Sequence, residues 1–347
     1  MPEYVLPESE ILQTRVSLII PARNEEANIG KLLKSILQQT YSKALTEIIV
    51  VDDDSNDETA NIVIQFENVR LISLNTESLN SYKKKAIETG IASSTGELII
   101  TTDADCIVNE NWLQTIVSFY EKNNSVFIAA PVAFMENAGN KILYYFQVLD
   151  FLVLQGITAV SVYKKMLSMC NGANLAYKKD VFYEVNGFKG IDNIASGDDM
   201  LLMHKIKIAH PADIHYIKSK EVIVKTASAT TWKEFFNQRI RWASKANKYD
   251  DKRIFYVLLL VYLFNLSFLV LLIAGFINYH FWIYLFILWI AKTIIEFPFV
   301  NTVASFFNCK SLMKYFFFFQ PLHIAYTIIA GWLGQFGSYE WKGRKVK

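Results

Sequence analysis

Cysteine is scarce in this sequence of 347 residues, which contains only Cys106, Cys170 and Cys309. No two of them have the spacing of a zinc-binding pair, and a small odd number is typical of proteins in a reducing compartment. The phosphate-binding patterns GxGxxG and GxxxxGK[ST] are absent, which argues against a dinucleotide-binding fold and a P-loop. The five histidines show no HExxH spacing, and no serine or cysteine has the context of a catalytic nucleophile.

Neither sign of charge dominates, because 35 Lys and Arg residues accompany 33 Asp and Glu residues and the net charge is +2. This balance gives no support for a nucleic-acid-binding protein, which would normally have a basic face. The first 15 residues are polar and acidic, and they lack the basic segment and apolar stretch of a secretory signal. We therefore expect the large N-terminal region to stay in the cytoplasm.

Charge is nearly absent from residues 254–336, where the 83 residues include only four charged side chains. Residues 254–277 carry no charge and are long enough to cross a bilayer. Residues 315–336 form a second uncharged stretch, interrupted by Pro321. Between them, residues 281–291 are strongly apolar but short, because Lys292, Glu296 and Pro298 follow. The sequence thus predicts a multi-pass protein of the cell membrane with two or three transmembrane segments in 254–336.

The side of the membrane on which the chain ends depends on that number. Basic residues precede the first apolar stretch, and the tail at 337–347 is also basic, so both are expected in the cytoplasm. Three full spans would put the tail outside. Two spans with a re-entrant segment at 281–291 would keep it inside, and we slightly favour this second arrangement.

Residues 1–253 are predicted to form a cytoplasmic α/β domain, because short apolar runs alternate with amphipathic stretches. The runs that predict strands are 16–20, 47–51, 69–74, 97–101 and 125–130, and the stretches that predict helices are 24–37, 57–66, 82–92, 112–120 and 232–245. This alternation favours a largely parallel sheet, in which ligands bind beyond the carboxyl ends of the strands. Residues 142–162 are apolar with Asp150 and Gln155 inside, and they predict an amphipathic helix on the core or at the membrane surface.

Acidic side chains follow two of the predicted strands. Asp103 and Asp105 face the same way if the backbone is extended, and together they can hold a divalent cation that also takes phosphate oxygens as ligands. Alternatively, the pair belongs to a solvated loop. In the run of residues 52–54, Asp53 can accept hydrogen bonds from a ribose or a base, or the run can be a turn that caps the next helix.

Three further groups of polar residues have two interpretations each. Asp198 and Asp199 supply a general base for an acceptor hydroxyl, or they cap a helix. Gln238, Arg241 and Trp242 bind a diphosphate and pack a sugar ring, or they form an ordinary belt at the membrane interface. Lys83 and its two lysine neighbours meet a phosphate, or they lie on a solvated helix face.

Taken in order, these segments resemble the family 2 glycosyltransferases with the GT-A fold. The matching text is VSLIIPARNEEANIGKLLKSI, EIIVVDDDSNDETANI, GELIITTDAD, GANLAYKK, SGDD and QRIRW, which covers residues 16–242. The uncharged stretches that follow QRIRW are similar to those of membrane-bound members such as cellulose, chitin and hyaluronan synthases. Asp54 stands where many members have glycine, so we expect this loop to differ.

The resemblance implies a role for each matching residue. It places Pro21, Ala22, Glu25, Asp53, Lys83 and Asp103 at the nucleotide sugar, Asp103 and Asp105 at Mg²⁺ or Mn²⁺, Asp199 with Asp198 at the catalytic base, and Gln238, Arg241 and Trp242 at the diphosphate and acceptor. The implied reaction is inverting transfer of a sugar from a nucleoside diphosphate, with uridine preferred. The implied acceptor is a hydroxyl on a lipid, a lipid-linked glycan or a polysaccharide.

Two other functions are open to a chain with these features. One is a membrane-anchored subunit that binds a nucleotide sugar or acts as a scaffold without turnover. The other is a transporter, which is disfavoured because the apolar stretches are few and hold almost none of the ionisable residues that mark ion or substrate paths.

Overall fold

The computed structural model describes residues 1–8, 11–74, 82–136, 139–192, 194, 197–245 and 251–336, and the backbone of 339–341 and 344–346. The chain divides into two compact units. The first contains Met1–Met135 and Thr158–Ala227, and the second contains Glu136–Ile157 and Ser228–Lys347.

The strands and helices come largely where the sequence predicts them. They are, in chain order, β1 (Val16–Ala22), α1 (Ile29–Leu37), β2 (Thr46–Asp52), α2 (Thr59–Ile64), β3 (Arg70–Ser73), α3 (Tyr82–Ser93), β4 (Leu98–Thr101), β5 (Cys106–Ile107), α4 (Trp112–Asn123), β6 (Phe127–Ala129), β7 (Val132–Phe134), α5 (Lys141–Tyr163), β8 (Leu175–Lys178), α6 (Lys179–Glu184), α7 (Met200–Ala209), β9 (Ile214–Tyr216), β10 (Val224–Thr226), α8 (Trp232–Ala243), α9 (Lys252–Ala274), α10 (His280–Phe306), α11 (Phe316–Phe336), β11 (Tyr339–Trp341) and β12 (Arg344–Val346).

A seven-stranded sheet forms the centre of the first unit, in the order β3-β2-β1-β4-β8-β6-β9. Neighbouring strands are parallel, except that β8 runs antiparallel to both β4 and β6. Strands β1, β2 and β4 are buried over most of their length, which explains why their apolar residues run without polar alternation. The predicted α/β class with a mostly parallel sheet is confirmed.

The register of this sheet places the acidic segments at one edge. Ile19 of β1 lies opposite Ile49 of β2 on one side and Thr101 of β4 on the other. Because all three strands run the same way, the residues that follow β2 and β4 leave the sheet at the same edge. Asp53 therefore follows the carboxyl end of β2, and Asp103 follows the carboxyl end of β4. These two strands lie on either side of β1.

A smaller sheet, ordered β5-β10-β7, lies in the same unit. Strand β10 pairs antiparallel with β5, so that Thr226 lies opposite Cys106. This pairing connects residues near the end of the first unit to the segment directly after Asp105.

The second unit is built from helices. Helix α11 packs on α8 and α9, and α9 packs on α10. Phe146 of α5, Phe235 of α8 and Tyr326 of α11 share one buried core. For this reason α8 and the first part of α5 belong to the same compact unit as the C-terminal helices, and the boundary between units differs from the predicted domain boundary after residue 253.

Four helical segments are long and apolar enough to cross a membrane, judged by length and composition. They are α5, α9, α10 and Lys310–Phe336, which contains α11. Of the most apolar window of α5, 67% is buried within the protein, against 28% or less for the other three. The helix predicted at 142–162 is therefore present, and most of its apolar surface is already covered.

Helix α10 corrects the sequence-based view of residues 281–291 as a short segment. It continues for 27 residues with Pro298 inside, a length of about 40 Å. The charges that were expected to end it are paired: the buried Lys292 ammonium donates to Glu296 at 2.7 Å and to Gln320 at 2.6 Å. The helix thus does not break where a re-entrant segment would need a break, while the number of membrane spans stays a prediction.

The last residues, expected as a basic tail at 337–347, contain two short strands. Strands β11 and β12 pair antiparallel, with Tyr339 opposite Val346.

Candidate active site

The loop after β1 is joined to the loop after β2 by hydrogen bonds. The Asp53 amide donates to the Ala22 carbonyl at 2.8 Å, next to Pro21. The Arg23 guanidinium donates from Nη1 to the Asp53 carbonyl at 2.5 Å and lies 3.7 Å from Asp53 Oδ2. Sequence reasoning missed Arg23, although it follows directly on two predicted pocket residues. Its positive charge holds the buried Asp53 carboxylate at the edge of the sheet.

The three consecutive aspartates have three different environments. Asp52 is buried and accepts from the Ser55 hydroxyl at 2.5 Å, so the turn interpretation fits this residue. Asp53 is buried beside Arg23, whereas Asp54 is exposed. Asp54 has a φ of +53°, the left-handed conformation that favours glycine, at the position where the resemblance expects glycine.

Glu25 lies in the turn that leads into α1. Its amide donates to Thr59 Oγ1 at 2.7 Å, and its carboxylate accepts from Asn28 Nδ2 at 2.9 Å. These contacts connect the turn to the start of α2. They give Glu25 a structural role in shaping the loop, beside the predicted contact with a nucleotide.

The Lys83 ammonium joins two acidic segments that are far apart in the sequence. Its Nζ lies 2.7 Å from Asp103 Oδ1 and 3.0 Å from Asp198 Oδ2. Burial alone would lower the pKa of Lys83, but the carboxylates of Asp103, Asp198 and Asp199 outweigh it and raise the pKa. The structure thus brings together three of the predicted site residues around one positive charge.

Asp199 is oriented by two backbone amides. Its Oδ1 accepts from the Met200 amide at 2.7 Å as the N-cap of α7, and its Oδ2 accepts from the Gly172 amide at 3.2 Å. Both interpretations of this residue are thus compatible, since a carboxylate held in place at a helix end can also act as a base. Ser196, the first residue of the SGDD text, lies outside the described residues.

Gly172 lies against the same cluster. A Cβ atom at this position would lie 3.1 Å from Asp198 Oδ2 and 3.2 Å from Lys83 Nζ. The lack of a side chain therefore lets the backbone approach the ion pairs closely enough for its amide to reach Asp199.

Asp105 is held by the smaller sheet. The Thr226 hydroxyl donates to Asp105 Oδ2 at 3.1 Å, and Cys106 Sγ lies 3.7 Å from Oδ1. Burial, followed by the charges of Asp105 and Asp103, raises the pKa of the Cys106 thiol well above its ordinary value. This cysteine therefore stays protonated at neutral pH, and the Asp105 carboxylate has a fixed orientation.

Asp103 and Asp105 offer carboxylate oxygens, the ligands that a hard divalent cation prefers. Among the residues that the structure describes, no three His, Cys, Asp or Glu side chains come together as a metal-binding group. A hard cation such as Mg²⁺ needs only one or two protein carboxylates when substrate phosphates complete its shell. The ammonium at 2.7 Å from Asp103 also demonstrates that this carboxylate accepts a positive partner.

Two buried residues, whose burial and partners the sequence does not predict, support the site. Lys84 donates from Nζ to the carbonyls of Ile191 at 2.6 Å and Ile194 at 2.8 Å, in the loop that precedes Asp198. Asn174 accepts from the Trp112 indole at 3.0 Å and donates to the carbonyls of Pro131 and Val222, both at 2.8 Å. A run of lysines or the sequence Gly-Ala-Asn looks the same whether its side chains are buried or exposed. The sequence therefore gives no signal for these buried contacts.

Gln238, Arg241 and Trp242 lie on α8, in the second unit, and are partly buried. Gln238 Oε1 accepts from Arg239 Nη1 at 2.8 Å. The Trp242 ring packs against Phe151, with 6.2 Å between ring centroids. Their roles at a diphosphate or acceptor stay predictions.

The first unit thus has a mostly parallel α/β sheet, with carboxylates and a lysine clustered beyond its strand ends. Residues 17–185 match the family model Glycosyl transferase family 2. The matched segment is just under half of the chain, and the curated relatives that the chain is similar to are named as glycosyltransferases.

Two curated relatives and one solved structure illustrate this similarity. The chain is 30% identical over 190 residues to Glycosyltransferase AglE of Haloferax volcanii. The aligned residues cover 53% of this chain and 59% of that protein. It is 34% identical over 158 residues to the Escherichia coli UDP-Glc:alpha-D-GlcNAc-diphosphoundecaprenol beta-1,3-glucosyltransferase WfgD, which covers 45% of this chain and 56% of that protein. The chain thus spans less than two thirds of the length of either relative.

The solved structure is the mannosyltransferase PcManGT from Pyrobaculum calidifontis, in complex with GDP-Man and Mn²⁺. Its TM-score to this chain is 0.58 at 19% identity, and the match covers 93% of this chain and 87% of that one. At this identity the likeness supports the GT-A-like fold.

Proposed function

We propose that this chain is a membrane-bound glycosyltransferase that moves a sugar from a nucleoside diphosphate, preferably UDP, to an acceptor hydroxyl with inversion at the anomeric carbon. The observation that carries the proposal is the Lys83 ammonium, which lies between Asp103 and Asp198, the neighbour of Asp199. It supports one site in which donor-binding and base residues meet.

On the donor side, the nucleotide lies at the loops after β1 and β2. Pro21 and Ala22 line the pocket, Asp53 accepts from the ribose or base, and Glu25 shapes the first loop. Lys83 can exchange a carboxylate partner for a phosphate oxygen, because an ammonium group has three donors and little directional preference. Asp103 and Asp105 would hold Mg²⁺ or Mn²⁺, and such a cation, when bound, neutralises charge on the leaving diphosphate.

On the acceptor side, Asp199 acts as the general base. The acceptor oxygen forms a bond to the anomeric carbon while the bond from that carbon to the diphosphate oxygen breaks. The acceptor proton moves to Asp199, and the electron pair leaves with the diphosphate. The amides of Gly172 and Met200 hold the carboxylate in one orientation, which favours proton transfer along a single direction.

The relatives support a choice of substrates. The name of WfgD gives a UDP-glucose donor and a diphosphoundecaprenol-linked acceptor. We carry over the class, a UDP-sugar and an acceptor on a lipid, a lipid-linked glycan or a polysaccharide. Helices α9 to α11 would anchor the chain in the cell membrane with the first unit in the cytoplasm, so that such an acceptor is reached at the inner surface.

The test is transfer by membranes that contain the full chain, supplied with a panel of labelled nucleotide sugars. Lipid-extractable and polymeric products are separated and counted. We expect label from one nucleoside diphosphate sugar in one of these fractions, and loss of this label in the Asp199→Asn variant. Donor binding without product in any fraction would instead support a binding or scaffold subunit.

A further inference from the structure

Arg239, the second residue of the QRIRW text, is almost completely buried in the second unit. Its guanidinium forms an ion pair with the equally buried Asp150 of α5, with Nη2 2.6 Å and Nε 2.9 Å from Oδ2. The other carboxylate oxygen of Asp150 accepts from the Tyr326 hydroxyl of α11. Asp150 therefore fixes Arg239 with one oxygen and is itself fixed through the other.

The same guanidinium contacts two residues predicted to bind substrate. Nη1 donates to Gln238 Oε1 at 2.8 Å, and the group lies over the Trp242 ring at 4.3 Å from its centroid. Arg239 and Trp242 are three residues apart on α8, on the same helix face. One buried group thus sets the orientation of an amide and an indole at once.

The energetics favour an orienting role over a stabilising one. Removing two charges from water costs several kcal/mol, so a buried ion pair is often no more stabilising than apolar residues of the same volume. A planar guanidinium, unlike an ammonium, can bind a carboxylate, donate to an amide and stack on an indole in one geometry. Lysine at this position would keep the charge, but it has no planar group that could hold all three contacts in one fixed geometry.

We propose that Arg239, anchored by Asp150, is a positioning residue that holds Gln238 and Trp242 in the orientation needed for acceptor use. This inference rests on the proposed function, in which these two residues act at the diphosphate and acceptor. It makes that function depend also on Asp150, a residue of α5 that lies outside the matching text.

The test measures acceptor kcat/KM and donor Kd in the full chain. Arg239→Lys is expected to lower acceptor kcat/KM about tenfold while donor Kd stays within twofold. Asp150→Asn, which alters the anchor without changing α8, is expected to give the same acceptor-specific loss and serves as the second variant if Arg239→Lys does not fold. Arg253→Lys is the matched control, because Arg253 forms a similar pair with Asp251 but is exposed.

A double-mutant cycle separates positioning from general damage. In a Trp242→Ala background, Arg239→Lys should cost less than about threefold, since its effect runs through the indole. Equal costs in both backgrounds, or unchanged acceptor kcat/KM in Arg239→Lys and Asp150→Asn, would overturn the inference. Loss of transfer in Gln238→Ala and Trp242→Ala then leaves the proposed function intact. Full transfer in those two variants as well would overturn the acceptor-side part of the proposed function, together with the inference.

Discussion

Asp103 and Asp198 share one partner, the ammonium group of Lys83, at 2.7 and 3.0 Å. Asp103 follows the central strand β4, and Asp198 lies two residues before helix α7. Two carboxylates this close to one cation lie in a single site.

Asp199→Asn should abolish the base while it keeps the shape of the side chain. We expect the rate of transfer to fall about a hundredfold or more, because an amide cannot take the acceptor proton, and donor affinity to stay unchanged. Transfer rates with a labelled donor and donor binding at equilibrium measure the two effects. Asp192→Asn, an exposed aspartate before the same helix, should keep wild-type activity. Full turnover in Asp199→Asn would show that the base is another residue.

Removal of divalent cations should stop transfer. We expect EDTA to abolish activity and Mg²⁺ or Mn²⁺ to restore it, because Asp103 and Asp105 have the oxygen ligands that such cations prefer. Asp105→Asn should raise the metal concentration needed for half-maximal activity. Undiminished turnover in excess chelator would contradict a metal role for this pair.

Neighbouring lysines of α3 should respond differently to the same substitution. Lys84→Met removes the donor for two loop carbonyls, and we expect a loss of about 1–3 kcal/mol of unfolding free energy. Lys85→Met serves as the control. Lys85 is exposed, and its ammonium forms an ion pair with Glu88. Thermal or denaturant unfolding of the purified chain measures both. Equal stability of the two variants would argue against a buried role for Lys84.

Stability should fall with acidification because of His215. Burial, followed by the charge of Lys165, lowers the pKa of His215 in the folded protein. The unfolded chain then binds this proton first, so the contribution of the neutral ring is present above about pH 6.5 and is lost as pH falls through the folded pKa. His215→Asn should flatten the dependence of the unfolding midpoint between pH 5 and pH 7.

A slope that is unchanged in His215→Asn would assign the acid sensitivity to other groups.

Close helix packing in the second unit makes Gly156 sensitive to any side chain. A Cβ atom there would lie 2.6 Å from Val303 and 2.7 Å from Phe299 of α10. We expect Gly156→Val to separate α5 from α10 and to lower the yield of folded protein in detergent, since small residues let helices approach closely. Gly190→Val offers a comparison, because no atom lies within 4 Å of a Cβ there, although its φ of +88° adds strain. A normal yield for Gly156→Val would indicate that these helices can move apart without cost.

Much of the fold was readable from local patterns. The apolar runs predicted β1, β2 and β4 because buried parallel strands need no polar alternation, and helix α1 followed from the helical spacing of its apolar residues. At residues 281–291 the pattern leaves a span and a re-entrant segment open, and the structure shows one helix that continues past the charged residues. Inside the protein, the Lys292 ammonium pairs with the Glu296 carboxylate one turn onward and donates a hydrogen bond to the Gln320 amide oxygen of another helix.

The amino-acid sequence by itself determined the order of strands and helices, the apolar C-terminal region and the acidic residues at the strand ends, because these depend on neighbours along the chain. Only the tertiary structure decided which lysine of the run is buried, that Lys83 joins Asp103 to Asp198, and that Asp150 holds Arg239. Such pairs depend on the packing of elements that are distant in sequence. A buried charge is costly unless it is paired, and no local pattern specifies which distant residue will be its partner.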